Sequence, residues 1–159
     1  MFYSQIVLQS DLSAIGAVDA FLEGIMQDFG IGEEFFGVMS VPLIECVKNS
    51  MMHGNKMDEN KKVSIDFQIK EAKLLFTVTD EGQGFDYEKT LASCADAAEK
   101  TGLFLLTALA EEVTFSKNGA QVSYKIDVPF SINSPVNRMA ILQQKANREA
   151  EMQIKLQCF

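Results

Sequence analysis

Apolar residues recur along this chain with two different periods, and the changes of period mark its elements. Phe2 to Gln9 alternates loosely, with Tyr3, Gln5 and Val7 against Phe2, Ser4, Ile6 and Leu8, which predicts a first strand. Ser10 and Asp11 then offer a helix cap. Leu12, Ile15, Val18, Leu22, Ile25, Met26 and Phe29 recur every three or four residues, so an amphipathic helix is expected to about Phe29. The Met and Phe of that stripe belong to a core. Gly30 to Glu34 breaks the pattern. Pro42 to Lys56, PLIECVKNSMMHGNK, reads as the next helix, with Leu43, Val47, Ser50 and Met51 as an apolar or small stripe. Pro42 suits a first turn, where a missing N–H costs nothing, and Gly54 suits a left-handed stop. Phe35 to Ser40 either begins this helix early or leads into it.

Downstream the period returns to two. Val63, Ile65, Phe67 and Ile69 alternate and pair with Lys73 to Asp80 across Glu71-Ala72, a tight hairpin. Residues 86–101 show no strand pattern. Thr101 to Val113 is an apolar helix, and Val113 to Lys117 and Gln121 to Val128 flank the hairpin signal Asn118-Gly119. Ser134-Pro135 caps a last helix with a narrow stripe of Met139, Leu142, Ala146, Ala150 and Ile154. The order β-α-α-β-β-connection-α-β-β predicts a mostly antiparallel sheet covered by helices on one face. The fold class is therefore α+β, a two-layer sandwich. Residues 1–130 form its domain and 131–159 a C-terminal helical extension, which docks on the domain, pairs with a second copy as a homodimer or is a frayed tail, the first two being favoured.

Composition narrows the function classes. With 159 residues the chain is one domain with a real core. Its net charge is −8 and no Lys or Arg precedes Lys48, which argues against direct binding of nucleic acid. Cys46, Cys94 and Cys158 are widely spaced and odd in number, as free thiols of a reducing compartment are. The apolar run Gly102 to Ala110 is too short to span a bilayer, and the N-terminus lacks a signal-peptide pattern. The expectation is a cytoplasmic protein with no membrane association.

Candidate chemistry sits at the ends of predicted elements. Glu45, Asn49 and His53 fall four residues apart and form a row on their helix. A carboxylate and a carboxamide one turn apart suit a magnesium–phosphate site, because Asn offers a neutral oxygen to a hard cation and Glu can orient or deprotonate a nucleophile. Such pairs are common on solvated faces, so the row alone identifies nothing. His53, a lone histidine at a helix end, is assigned no catalytic role. The strand KLLFTVTD ends in Asp80, which can accept a hydrogen bond from the amino group of a base, and Gly82 and Gly84 beside it let a ligand approach the backbone. Gly102 opens a helix whose N-terminus favours phosphate.

These stretches carry a resemblance. ECVKNSMMHGNK resembles the N box of the GHKL (Bergerat-fold) ATPases, DEGQGFD their first glycine box, and KTGLFLLTALAEEVTFSKNGAQVSYKI the closing box and final strands. The short spacing and the HGNK ending are most similar to the branch of anti-sigma factor serine/threonine kinases. The resemblance runs from about Tyr3 to Val128. It implies ATP and Mg2+ as cofactors, with Asn49 as the metal ligand, Glu45 as the catalytic base and Asp80 reading the adenine amino group. Gly82 and Gly84 would admit base and ribose, residues 86–101 would form a lid, and Lys100, Thr101 and Gly102 would close on the phosphates. It implies as partners an anti-anti-sigma (STAS-type) protein, phosphorylated on Ser or Thr, and a sigma factor.

The chain also departs from the family pattern. Lys100-Thr101-Gly102 stands where Gly-Arg-Gly is usual, Ser50 replaces an Ala, and the first helix has no basic residue. These departures bear on phosphotransfer more than on nucleotide binding. They keep a nucleotide-gated protein-binding module without phosphotransfer as the alternative. The catalytic half of a histidine kinase ranks below both, since it needs a phosphoacceptor histidine outside the N box.

Overall fold

The structure, a computed structural model, describes residues 3–84, 86, 101–131 and 139, with the backbone alone at 101–104. The expected lid between residues 86 and 101, with Lys100, and the C-terminal extension apart from Ser131 and Met139, lie outside the described residues.

The first strand, β1, spans Tyr3–Gln9. Asp11 caps a single 3-10 turn, Leu12–Ile15, by accepting the Ser13 N–H at 2.9 Å. Helix α1, Gly16–Phe29, buries Val18, Leu22, Ile25, Met26 and Phe29. Leu12 departs from the expected stripe and is exposed. It lies in the tighter turn, whose three residues per turn do not continue the 3.6-residue row. Gly30 ends α1 in the left-handed region at φ 56° and returns its N–H to the Met26 carbonyl.

Helix α2 spans Phe36–Asn49, so Pro42 lies inside it rather than opening it. Of the two expected starts the early one is found. Glu33 and Glu34 form the acidic turn ahead of Phe36, the charge that suits a helix N-terminus. Met39, Leu43, Cys46 and Val47 then make one continuous buried stripe. Packing of that stripe outweighs the hydrogen bond that Pro42 cannot donate. Past Asn49 the helix widens into a π-type turn, Ser50–Gly54. Gly54 is not left-handed, contrary to the expectation; Lys56 and Met57, at φ 53° and 57°, make the reversal.

Strands β2, Lys62–Lys70, and β3, Lys73–Asp80, pair across Glu71-Ala72. Both turn residues take positive φ, 54° and 61°, the twist that a two-residue hairpin demands even without Asn or Gly. Helix α3, Thr101–Leu109, is shorter than expected, because the chain turns into β4, Glu111–Ser116, before Val113. Glu111 and Glu112 are drawn to the neighbouring strands: Glu111 pairs with Lys73, and Glu112 meets Lys125 at 2.6 Å. The Asn118-Gly119 turn, with φ 55° and 93°, leads into β5, Gln121–Ile126.

The strands form one sheet in the order β1-β2-β3-β5-β4, antiparallel at every pairing. One face supplies Val63, Ile65, Phe67, Leu74, Phe76, Val78, Val122, Tyr124 and Ile126 to a single core with the α1 and α2 stripes. A run of rings, Phe29 to Phe67 to Phe76 to Tyr124, crosses that core at centroid separations of 5.7, 5.2 and 5.8 Å. The other face is polar, with Gln5, Asp66, Thr77 and Ser123 across four strands. The α+β two-layer sandwich is as expected. Its consequence for the site is positional: β3 lies between β2 and β5, so its last residue, Asp80, emerges mid-sheet beside the end of α2. Among the described residues no helix is long and apolar enough to cross a membrane.

Candidate functional site

Asp80 is the centre of the site and is 6% exposed. Its backbone N–H is spent on the Ala120 carbonyl at 2.9 Å, which ties it to β5. Its Oδ1 accepts the Gly82 N–H at 2.9 Å, while its Oδ2 is buried with no hydrogen-bond partner among the described residues. Burial raises the carboxyl above its ordinary range; the Gly82 N–H, the Ser50 hydroxyl and the Lys61 charge act in the opposite direction. The Ser50 hydroxyl is near enough to act on the carboxyl's charge, but it makes no hydrogen bond of ordinary geometry with Oδ2, and a buried acceptor left in that state calls for an explanation. A bound group with an N–H to offer supplies one.

The walls around Asp80 are backbone. A Cβ on Gly54 would lie 2.3 Å from Asp80 Oδ2, and one on Gly82 would lie 2.0 Å from the Gly54 carbonyl oxygen. Gly84, at φ 82°, would put a Cβ 2.1 Å from the Asn118 carbonyl oxygen. The sequence marks Gly82 and Gly84 as points where a ligand would approach the backbone; what meets them in the structure is the chain itself, the Gly54 and Asn118 carbonyls. Gly54 is glycine for the same reason and not for its φ.

Glu45 and Asn49 lie one turn apart at the end of α2, and both are half-buried. Glu45 Oε1 sits 3.6 Å from Lys48 Nζ, a pair with side chains 32% and 41% exposed and therefore of small energetic weight. Asn49 leads directly into the π-type turn whose last residue, Gly54, covers Asp80. The wider turn carries His53 off the row of Glu45 and Asn49, and its side chain is exposed. Thr101 and Gly102 are the first two residues of α3, and Lys100 is outside the described residues.

Asn55 was not picked out from the sequence. It is 1% exposed and uses both ends of its carboxamide. Its Nδ2 donates to Ser10 Oγ at 2.7 Å and to the Lys62 carbonyl at 2.9 Å, and its Oδ1 accepts the Glu81 N–H at 2.9 Å. The only sequence signal was an amide directly after Gly54, and its neighbours are distant in the chain.

The donor set fits an adenine nucleotide with magnesium. Asp80 Oδ2 offers a buried acceptor to a group with an N–H to give, and the space beside Gly54 and Gly82 that a Cβ would take is filled by the Asp80 carboxylate and the Gly54 carbonyl, so the two turns close tightly around it. Among the described residues no group of three His, Cys, Asp or Glu side chains is placed to hold a metal by itself. A cation that takes most of its ligands from water and phosphate needs only a contribution such as the Asn49 carbonyl oxygen.

Residues 8–126 match the model of the histidine kinase-like ATPase domain. The chain belongs to the histidine kinase-like ATPases, of GHKL type. The matched stretch runs from the end of β1 to the last residue of β5 and holds every site residue named above.

Within this ATPase family the chain is similar to serine-protein kinases. It is 26% identical over 121 residues to serine-protein kinase RsbW of Bacillus subtilis (strain 168), covering 70% of this chain and 76% of that one. RsbW of Staphylococcus aureus (strain Newman) is 29% identical over 114 residues, covering 64% and 72%. The crystal structure of the RsbU and RsbW domains of Rv1364c from Mycobacterium tuberculosis superposes with a TM-score of 0.57 at 16% identity. That match covers 82% of this chain and 33% of the other, and it shows a shared fold.

Proposed function

We propose that this histidine kinase-like ATPase binds ATP with Mg2+ and acts as an anti-sigma-type serine/threonine kinase. Its substrate would be a hydroxyl of an anti-anti-sigma, STAS-type protein, with a sigma factor as the alternating partner, in the cytoplasm and without direct contact to nucleic acid. The observation that carries the nucleotide reading is the orphaned Asp80 Oδ2 beneath Gly54. Similarity to the RsbW kinases supports the partner class.

In this reading Asp80 accepts the adenine amino group, Gly82 and Gly84 let base and ribose lie against the backbone, and Asn49 holds the magnesium. The metal supplies charge neutralisation at the phosphates. Lys100, Thr101 and Gly102 face the phosphates at the start of α3. Glu45 exchanges its exposed contact with Lys48 for the incoming hydroxyl, orients it and takes its proton. The domain ends near residue 130, and the extension over 131–159 serves docking or dimer formation.

One observation favours a second reading, a nucleotide-gated binding module without phosphotransfer: Lys100-Thr101 occupies positions where the family usually has Gly-Arg. Calorimetry with ATP and GTP tests the shared part of both readings. Equal affinity for the two nucleotides would rule out Asp80 as the base reader. Transfer of labelled phosphate to a STAS-type protein then separates kinase from module.

A further inference from the structure

The β2–β3 ladder does not simply fray beyond its last pair; a side chain replaces its next rung. The final register pair is Val63 with Asp80. Asp80 turns its N–H to β5, so the next N–H, that of Glu81, turns toward β2. An unbroken antiparallel ladder would give that N–H to the Lys62 carbonyl. Instead the Glu81 N–H donates to Asn55 Oδ1 at 2.9 Å, and Asn55 Nδ2 passes a donor on to the Lys62 carbonyl at 2.9 Å. The Lys62 N–H, which would have met the Glu81 carbonyl, donates to Glu81 Oε2 at 2.5 Å. One carboxamide therefore stands between two strands where a direct peptide–peptide pair would stand.

We infer that Asn55 is a positioning residue for the base site: its carboxamide wedge splays the Glu81–Gly82 turn off β2 and so aims the Asp80 carboxylate. The inference rests on the nucleotide reading of that site. Without the wedge, Glu81 would zip onto Lys62 and draw Gly82 with it. Gly82 supplies the N–H that occupies Asp80 Oδ1 and leaves Oδ2 free. Gly82 also sits against the Gly54 carbonyl, so the same turn forms one wall of the cradle. Gly54 and Asn55 are adjacent, so one dipeptide covers the carboxylate and holds the turn that orients it.

The residue type follows from the task. The wedge must accept from an N–H and donate to a carbonyl at once, as a peptide group does, and a primary amide has both functions. Asp in its place keeps the acceptor but turns a carboxylate oxygen on the Lys62 carbonyl. The second Nδ2 hydrogen goes to Ser10 Oγ, which itself donates to the Lys61 carbonyl at 3.0 Å. That branch anchors the wedge to the end of β1 and does not touch the turn.

The two branches give the experiment. Ser10→Ala, Asn55→Asp and Asn55→Ala are compared with wild type by urea unfolding and by calorimetry with ATP and GTP under folded conditions. Ser10→Ala, which leaves both hydrogen bonds of the wedge to Glu81 and Lys62 in place, is expected to lower the unfolding midpoint and to weaken ATP far less than either Asn55 variant. Both Asn55 variants are expected to weaken ATP by about tenfold or more, the scale seen when a supporting shell is lost, and to narrow the preference for ATP over GTP. Folded Asn55 variants with wild-type affinity and selectivity would reduce Asn55 to a structural clasp and overturn the inference. If neither variant folds, hydrogen exchange of wild type decides: ATP must slow the Glu81 and Gly82 amides, and unchanged rates overturn it. Wild type that binds no ATP overturns the nucleotide reading together with this inference. Loss confined to the variants tests the wedge alone.

Discussion

Gly54 lies directly against the Asp80 carboxylate: a methyl group on Gly54 would come within 2.3 to 2.6 Å of all three carboxyl atoms. The contact joins the end of α2 to the end of β3, and it leaves no room for a side chain. It makes the proposed nucleotide site sensitive to single atoms added at the glycines.

Gly54→Ala is therefore expected to displace the Asp80 carboxylate, lowering ATP affinity by about tenfold or more. Overpacking of this kind destabilises by about 1–3 kcal/mol. Gly82→Ala is expected to be worse, since its Cβ would meet the Gly54 carbonyl, a backbone atom, at 2.0 Å. Calorimetry and urea unfolding read both effects. A Gly54→Ala protein with wild-type ATP affinity would remove Asp80 from the site.

Asp80→Asn is expected to trade function for stability. Burial raises the folded carboxyl above 3.8. In the nucleotide-free protein its favourable contribution is complete below that ordinary value and is lost as pH rises through the raised one. At neutral pH the variant should thus be more stable than wild type, by about 1 kcal/mol, and its stability should fall less between pH 4 and pH 7. With Oδ1 kept on the Gly82 N–H, the new amide would face the adenine amino group donor to donor. ATP binding should then fall sharply, together with the preference over GTP, which a buried acceptor can set at up to about 10⁴-fold. Thermal melts across pH 4 to 8 check the first part and calorimetry the second.

Glu45→Gln separates chemistry from binding. Its shape is conserved, and the pair it breaks with Lys48 is exposed enough to matter little to stability. If Glu45 is the base, ATP and partner binding persist while phosphotransfer drops by about 10²–10⁴. A large loss of ATP affinity would make Glu45 a structural residue instead. Restoring the usual pattern with Lys100→Gly and Thr101→Arg in the same assay shows whether the start of α3 limits transfer.

Tyr124→Phe should stabilise the protein or leave it unchanged. The Tyr124 ring is fully buried and stacked on Phe76, but its hydroxyl has no hydrogen-bond partner among the described residues. Deleting an unsatisfied buried hydroxyl removes a desolvation cost of about 1–3 kcal/mol. A destabilised variant in urea unfolding would reveal a partner for that hydroxyl. Nearby, burial first and the Glu45 charge second push the Cys46 thiol up to about 12. In the folded protein Cys46 should consequently resist alkylation at neutral pH.

Much of the architecture was legible along the chain because its causes are local. Period-two alternation at Val63, Ile65 and Phe67 marked β2, and period 3.6 from Val18 to Phe29 marked α1. Asn118-Gly119 announced its hairpin through the positive φ both residues adopt. Strand-end Asp80 with Gly82 and Gly84 pointed to a ligand through residue type alone. The start of α2 was ambiguous, because Pro42 is locally a first-turn residue and only the buried row from Met39 to Val47 makes it an interior one. Three decisions belonged to the tertiary structure. Gly54 looked like a helix stop, but β3 brings Asp80 against it; Glu111 and Glu112 looked helical, but lysines on two other strands draw them into β4. Asn55 was one polar residue among many until Ser10, Lys62 and Glu81 converged on it. Periodicity and turn preference act between neighbours in the chain. An orphaned acceptor, a contact that forbids a Cβ and a side chain standing in for a ladder rung exist only when distant backbones meet.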